Sequence, residues 1–442
     1  MKKKRFKVTG AQLILLGFAA MILVGALLLM LPVSSKERVW TSFIDALFTA
    51  TSAGCVTGLI VHDTATYWSV FGKIVLFLLI QAGGLGIITM TIIFFRLAGK
   101  KIGLVYRSTM QEAVSAPSIG GIIQMTGRIV RMTVLIELLG ALCLSPVFIR
   151  DFGIRRGITY SLFHSVSAFC NAGFDLMGHV EQYSSFTFYA NEPVTNVVLM
   201  ALILIGGMGF LTWDDVRNHG YHLKRYSTQS KLILVTALIL IFVPAIYFFF
   251  ADYREMPFRE RLLRSLFQSV TTRTAGFNTS DQAALSGPGY LLTVILMLIG
   301  GAPGSTAGGM KMTTAALMVI SMVSVFGRKR ETALFRRRVS QETIRTAGAI
   351  FMMYLFLFLL GGILLSVMEG LPLRATLFES ASAVGTVGLT TGITPELGTF
   401  SKIILAFLMF TGRVGGLTMI FAAVSTKDTG NMKYPEDRIT VG

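Results

Sequence analysis

Four short stretches of the chain repeat one arrangement of residue types: Cys55-Val56-Thr57-Gly58, Cys170-Asn171-Ala172-Gly173, Arg273-Thr274-Ala275-Gly276 and Gly385-Thr386-Val387-Gly388. Each ends on a glycine and none holds a carboxylate, so an ion bound there is bound by backbone carbonyls. Glycine reaches φ > 0 and permits close backbone approach, which turns carbonyl oxygens toward a common centre. Rings of such oxygens replace a cation's hydration shell in selectivity filters. A single glycine per loop predicts few stacked ion sites. The candidate ligands are Val56, Thr57, Gly58, Asn171, Ala172, Gly173, Thr274, Ala275, Gly276, Thr386, Val387 and Gly388. The stretches just after the glycines contain Asp63, Asp175, Glu181, Glu192, Asp281 and Glu396 but no Lys or Arg. That asymmetry implies a negative mouth that concentrates cations; the usual scarcity of Lys and Arg in translocated loops predicts the same pattern. Arg38, Arg155, Arg156 and Arg254 lie in the loops on the other side of the short apolar pieces.

Each turn follows a short apolar piece: Ala46-Leu47-Phe48, Ser161-Leu162-Phe163, Ser265-Leu266-Phe267 and Thr376-Leu377-Phe378. The glycine comes ten residues after the phenylalanine in repeats 1, 2 and 4, and nine after it in repeat 3. Pieces of about 12 residues do not cross a bilayer, which takes about 20. They fit re-entrant helices, since irregular backbone at membrane depth survives only inside protein or beside a water-filled cavity. Around them lie eight apolar segments, at 10–33, 70–95, 127–148, 193–213, 229–251, 288–325, 344–367 and 399–424. The first is read as a retained helix because no convincing cleavage site follows it. The unit is span, short helix, glycine turn, span, used four times. The repeats cover 10–100, 123–216, 228–326 and 343–426, with a tail at 427–442. The expected fold is an all-α polytopic membrane protein, a single transmembrane domain over 1–442, with its pore loops around a pseudo-fourfold axis.

Composition agrees. Of 442 residues, 53% are hydrophobic and 14% charged, against about 25% charged in soluble domains. That excludes disorder and most soluble enzymes. The net charge of +17 is read as membrane-edge charge and not as a nucleic-acid surface. Basic segments at 1–7, 97–107, 217–231 and 326–338 put those loops, and both termini, on the cytoplasmic side. Cys55, Cys143 and Cys170 fall in apolar segments, and the five histidines form no ligand cluster. No Ser/His/Asp set supports an enzyme. Cys55 and Cys170, at one repeat position, read as small packing residues, and His164 as a packed residue.

The turns and their repeats resemble the Trk/Ktr/HKT potassium-transporter superfamily over essentially the whole chain, and are closest to its KtrB-type membrane subunits. The resemblance implies K+ as the transported ion, Gly58, Gly173, Gly276 and Gly388 as filter glycines, and Na+ as a candidate activator. It also implies a homodimer with the tail to Gly442 at the subunit interface, a bacterial plasma-membrane location, and a cytosolic nucleotide-binding ring of KtrA type with RCK domains. Nucleotide would then bind the partner and not this chain, and membrane lipid would surround it.

The sixth apolar segment contains Gly300-Gly301-Ala302-Pro303-Gly304-Ser305-Thr306-Ala307-Gly308-Gly309, which five glycines and a proline keep from being a regular helix. Met310 separates Gly309 from Lys311, and the run lies inside a span, so it is not a phosphate loop. It reads as an intramembrane gate below the filter, as in the family, or as a packed kink. Arg413, near the middle of the last span, is a functional residue by default. In the family an arginine here faces the pore beside the gate, which fits an electrostatic barrier bonded to loop carbonyls; a tie between helices is the alternative. Lys311 snorkels or contacts the loop. Arg273 is expected to scaffold, with a partner such as Glu379, and Asp45 to act similarly. The rival function is a cation secondary transporter with its site at a broken helix.

Overall fold

The structure, a computed structural model, describes residues 9–86, 89, 109, 111, 120–416 and 418–419. The first helix of each repeat is long and continuous: α1 (Gly10–Met30). It is followed by a short helix, α2 (Phe43–Gly54), and a second apolar helix, α3 (Val70–Leu85). Repeat 2 begins with α4 (Ile122–Phe169), which merges its first span and its short helix across Gly153, at φ 76° and ψ 167°. It ends with α5 (Pro193–Gly207) and α6 (Phe210–His219). Repeat 3 comprises α7 (Thr228–Phe250), α8 (Phe258–Thr271), α9 (Gly287–Leu298) and α10 (Met312–Phe326). A two-residue-per-strand hairpin, β1 (Ala333–Leu334) and β2 (Arg337–Arg338), leads to repeat 4. That repeat holds α11 (Gln341–Glu369), α12 (Leu373–Gly385) and α13 (Thr399–Val414).

Side-chain hydroxyls fix where these helices begin. Ser42, Ser69, Ser227, Ser286 and Ser340 each accept from an N3 amide, at α2, α3, α7, α9 and α11, which satisfies one of the orphan donors of a helix start. Length then sorts the helices. Among the described residues, only α1, α4, α7 and α11 are long and apolar enough to cross a membrane as single helices. Leu23, Val24 and Leu27 on α1, and Ile239, Phe242 and Val243 on α7, are exposed, as a lipid-facing surface requires. The short helices α2, α8 and α12 have 12, 14 and 13 residues, or about 18–21 Å at 1.5 Å per residue. Their first turns are exposed, and their later turns, from Ala46, Ser265 and Thr376 onward, run into the interior of the protein.

The second helices differ from the eight-span reading. All four are interrupted, not only the one in repeat 3. α3 ends at Gly86 (φ 83°, ψ 136°), α5 ends before Gly209 (φ 90°, ψ 136°) with α6 bent away by 99°, and α13 ends at Gly415 (φ 89°, ψ 139°). This shared conformation is open to glycine alone. The reason lies in the sequence: Gly86, Gly209 and Gly415 each come three residues after the first glycine of a patch. In repeat 3 the break is longer, with no helix between Leu298 and Met312.

Each second helix packs on the short helix of the next repeat: α3 on α4, α5 on α8, α9 on α12 and α13 on α2. The last pair joins the end of the chain to its beginning and closes a ring. Lys402 Nζ on α13 seals this seam, 2.8 Å from Asp45 Oδ1 on α2. Outside the described residues lie the segments 1–7 and 97–107, the tail 427–442 and Gly442.

Candidate functional site

The four turns meet at the centre of this ring. A Cβ added to Gly58 would lie 2.7 Å from the Ala172 carbonyl oxygen, and one on Gly173 2.8 Å from that of Ala275. One on Gly276 would lie 2.2 Å from the Val387 oxygen, and one on Gly388 2.2 Å from that of Thr57. The series runs in chain order and returns to its start. All four glycines have positive φ, at 95°, 69°, 81° and 92°, so space and conformation both demand glycine.

Two residues earlier, Val56, Asn171, Thr274 and Thr386 also have positive φ, between 53° and 68°. This is costly for β-branched residues, at about 1–3 kcal/mol each, and such strain marks functional segments. The residue between, Thr57, Ala172, Ala275 or Val387, has negative φ. Alternating the sign of φ flips successive peptide planes, so their carbonyls point to one side instead of to opposite sides as in a strand. Among the described residues, no protein group donates a hydrogen bond to the carbonyl oxygen of any of the twelve candidate ligands. All of them lie in the buried interior.

The short helices hold the loops through one repeated hydroxyl. Ser52 Oγ accepts from the Gly58 amide and Ser382 Oγ from the Gly388 amide, both at 3.0 Å. Ser167 and Thr271 instead donate to the Phe174 and Phe277 carbonyls, at 2.7 and 2.5 Å. Loops 2 and 3 are also tied to each other, since the Asn171 amide lies 3.1 Å from Thr274 Oγ1. His164 accepts from the Leu176 amide at Nε2, 2.9 Å away, so its neutral ring carries the proton on Nδ1, which donates to the Tyr160 carbonyl at 2.7 Å. It is a packed bridge between the second short helix and its loop.

Directly against this ring sits the glycine-rich segment. Gly308 abuts Thr386, and Gly309 abuts the Gly385 carbonyl. Ala302 and Thr306 amides donate to the Gly207 and Gly206 carbonyls at 2.9 and 3.2 Å, Thr306 Oγ1 to Phe169 at 3.0 Å, and the Gly309 amide to Gly412 at 3.0 Å. The Gly300 amide donates to Met310 at 2.7 Å, and the Gly304 carbonyl accepts from Phe210 at 2.8 Å. Gly301 accepts from the Met312 amide at 3.0 Å, and Ser305 Oγ donates to Ala302 at 2.7 Å. Lys311 Nζ donates to the Ala307 carbonyl at 2.7 Å. The Arg413 guanidinium donates to the carbonyls of Thr306, Gly83 and, at 3.0 Å, Gly84. It thus joins repeats 1, 3 and 4 in one fork.

No group of three or more His, Cys, Asp or Glu able to hold a metal occurs among the described residues, so the ligands on offer at the ring are carbonyl oxygens. A family model for cation transport proteins, TrkH, matches residues 17–433. This chain belongs to the TrkH family. The potassium/sodium uptake protein NtpJ of Enterococcus hirae is 40% identical over 100% of this chain and 99% of that protein. The Ktr system potassium uptake protein B of Bacillus subtilis is 39% identical over 99% of this chain and 98% of that protein. In fold, the potassium transporter TrkH from Vibrio parahaemolyticus matches with a TM-score of 0.76 at 18% identity, covering 96% of this chain and 86% of that one. The chain is an all-α, multi-pass membrane protein of a transport family and not an enzyme.

Within this TrkH-family fold some sequence expectations change. Arg273 does not pair with Glu379. Its guanidinium donates to the Ala237 carbonyl on α7 at 3.3 Å. Glu379 accepts from Thr390 and, at 3.0 Å, Thr394. Arg273, just past the end of α8, and Glu379, on α12, each bond within its own repeat. The mouth acids are not all free to act on ions. Asp63 accepts from the Ala65, Thr66 and Tyr183 amides at 3.0, 2.9 and 3.2 Å. Asp175 caps the Met177 amide at 2.8 Å, and burial pushes its carboxyl up to about 7. Glu137 on α4, not singled out from the sequence, is buried and accepts from Gln81 at 3.1 Å, beside Cys170. A lone Glu inside an apolar run was the available signal.

Proposed function

We propose that this chain is the ion-translocating subunit of a potassium uptake system, passing K+ through the ring formed by its four turns. One observation carries the reading: among the described residues, no protein group donates a hydrogen bond to the twelve carbonyl oxygens that three buried residues of each turn supply. A buried polar group without a partner costs about 1–3 kcal/mol, so such a ring calls for a ligand that takes carbonyls, and a dehydrated cation is one. The C-terminal ends of α2, α4, α8 and α12 converge on the same place, and the negative end of each helix dipole favours positive charge. The names of the relatives, potassium/sodium uptake protein and Ktr system potassium uptake protein B, favour K+ as cargo, and the family resemblance adds Na+ as activator.

In this reading Gly300, Gly301, Gly304, Ser305, Thr306, Gly308, Gly309 and Lys311 form the gate, and Arg413 holds it closed by its carbonyl bonds. The turns open outward, both termini are cytoplasmic, the chain works as a homodimer with Gly442 at the interface, and a cytosolic KtrA-type RCK ring binds the nucleotide. The test is K+ and Na+ uptake in cells without their own potassium uptake systems, with the partner subunit co-expressed. Wild type restores growth at low K+, and Gly58→Ser, Gly173→Ser, Gly276→Ser and Gly388→Ser each lose K+ affinity or admit Na+. No K+ movement by wild type, or intact selectivity in the serine variants, overturns the reading.

A further inference from the structure

Arg155 and Arg156 lie just past the Gly153 kink, at the start of the short-helix part of α4, on the face that carries the mouth. They play no part in the ring. They line a cavity of about 940 Å³ between α3 and α4, together with Lys36 and Lys73. The backbone fixes these four charges near each other. The Lys36 amide donates to the Tyr67 carbonyl at 2.9 Å, and the Ser69 amide to Ser34 at 2.8 Å, which pins the Lys36 strand to the start of α3. Lys73 Nζ donates to the Ala65 carbonyl at 2.7 Å, which aims it back toward the rim.

Among the described residues, none of the four forms an ion pair with a carboxylate. Asp63, on the neighbouring loop, is occupied by three amides. His179 is also on the cavity wall, and burial first, then Lys73, Lys36 and Arg156, hold its imidazole below the ordinary range against the opposing charge of Asp63. Below the rim the wall is apolar, with Ile74, Phe77, Leu78, Leu162 and Phe163. Ile74 and Leu78 on α3 and Leu162 on α4 are exposed, so the apolar wall continues onto the outer surface of both helices.

We propose that this cavity binds an anionic phospholipid of the mouth-side leaflet, its phosphodiester among Lys36, Lys73, Arg155 and Arg156 and an acyl chain along Ile74, Leu78 and Leu162. Charge complementarity selects the headgroup, because four cations face the cavity and, among the described residues, no acid lines it. The apolar wall selects a lipid over a free phosphate, since a soluble anion leaves that wall uncovered. Basic residues at a membrane surface each contribute to anionic-lipid binding, about fivefold in affinity per cation. A lipid here would brace the second short helix against α3, the helix whose Gly83 and Gly84 carbonyls hold Arg413.

The test is retention of lipid by the purified full chain in detergent, measured by native mass spectrometry after exchange into equal phosphatidylglycerol and phosphatidylcholine. Wild type retains phosphatidylglycerol in at least tenfold preference. Changing Lys36→Gln, Arg155→Gln and Arg156→Gln together lowers that preference at least tenfold, and Leu162→Trp, which keeps every cation but fills the tail path, lowers it severalfold. Arg254→Gln, a mouth-side arginine outside the cavity, leaves it unchanged, and millimolar glycerol 3-phosphate does not displace the lipid. The proposal falls if wild type retains both lipids equally, if the triple variant retains phosphatidylglycerol as wild type does, if Arg254→Gln lowers retention as much, or if the soluble phosphate displaces it. Should the triple variant fail to fold, the wild-type preference and Leu162→Trp still decide.

Discussion

The first and second helices of the four repeats meet their neighbours differently. On the first helices, a Cβ added to a tight glycine would strike side chains: Leu79 from Gly25, Ser165 and Leu202 from Gly140, Leu408 and Ser380 from Gly361. On the second helices the first glycine of each patch would strike backbone, while Gly84, beside Gly83, would meet the Cys170 side chain. Gly83 abuts the Gly54 carbonyl, Gly206 that of Phe169 and Gly412 that of Val384, at 2.2, 1.9 and 2.3 Å from the added Cβ. Those carbonyls are at one repeat position, four residues before a ring glycine. In repeat 3 the corresponding Gly300 meets its own loop instead, at the Gly308 carbonyl. Side chains can move aside, whereas a backbone carbonyl beside the ring cannot without moving the ring. The outer helices therefore form a tolerant, lipid-facing scaffold, and the inner ones are fitted to the loops atom by atom.

The sharpest way to break this contrast is at the ring. Gly388→Ala or Gly276→Ala puts a methyl 2.2 Å from a neighbouring carbonyl oxygen at a positive φ, and K+ uptake is abolished. Gly58→Ala and Gly173→Ala, with 2.7 and 2.8 Å available, retain more; an uptake series over the four reads that order. Next comes a direct pairing of inner and outer helix. Gly206→Ala destabilises by about 3 kcal/mol or more, as overpacking against a fixed atom does. Gly348→Ala on α11, where among the described residues only Met318 lies nearby, at 3.9 Å, is neutral or gains about 0.5–1 kcal/mol from helix propensity. Thermal midpoints in detergent separate the two.

Arg413→Ala frees three carbonyls at once, and it raises uptake measured without the cytosolic partner severalfold while leaving the protein folded. Arg413→Lys gives an intermediate rate, since an ammonium lacks the planar fork that reaches several acceptors. The smallest effect separates the loops themselves. Ser52→Ala and Ser382→Ala strand the Gly58 and Gly388 amides, at about 1–3 kcal/mol each. Ser167→Ala removes only a donor from the Phe174 carbonyl and costs about 1 kcal/mol. The K+ to Na+ uptake ratio shifts more in the first two.

Much of this was legible in the residues. The turns, their glycines and the short apolar pieces were visible because each reflects local chain geometry: a helix too short to span, and a position that only glycine fills. The break at Gly300–Gly309 was visible for the same reason. The breaks at Gly86, Gly209 and Gly415 were hidden, because a glycine inside an apolar run also occurs in continuous membrane helices. The partner of Arg273 was hidden because a long side chain chooses among neighbours that only packing supplies.

The sequence by itself determined the element types, the fourfold unit and which backbone positions require glycine, since those depend on residues near one another in the chain. Tertiary structure decided the rest. It set the cyclic order in which each glycine faces the next loop's carbonyl, the fork that ties Arg413 to Thr306, Gly83 and Gly84, and the grouping of Lys36, Lys73, Arg155 and Arg156 around one cavity. These contacts join residues up to about 330 positions apart, and their geometry exists only once the fourth repeat closes on the first.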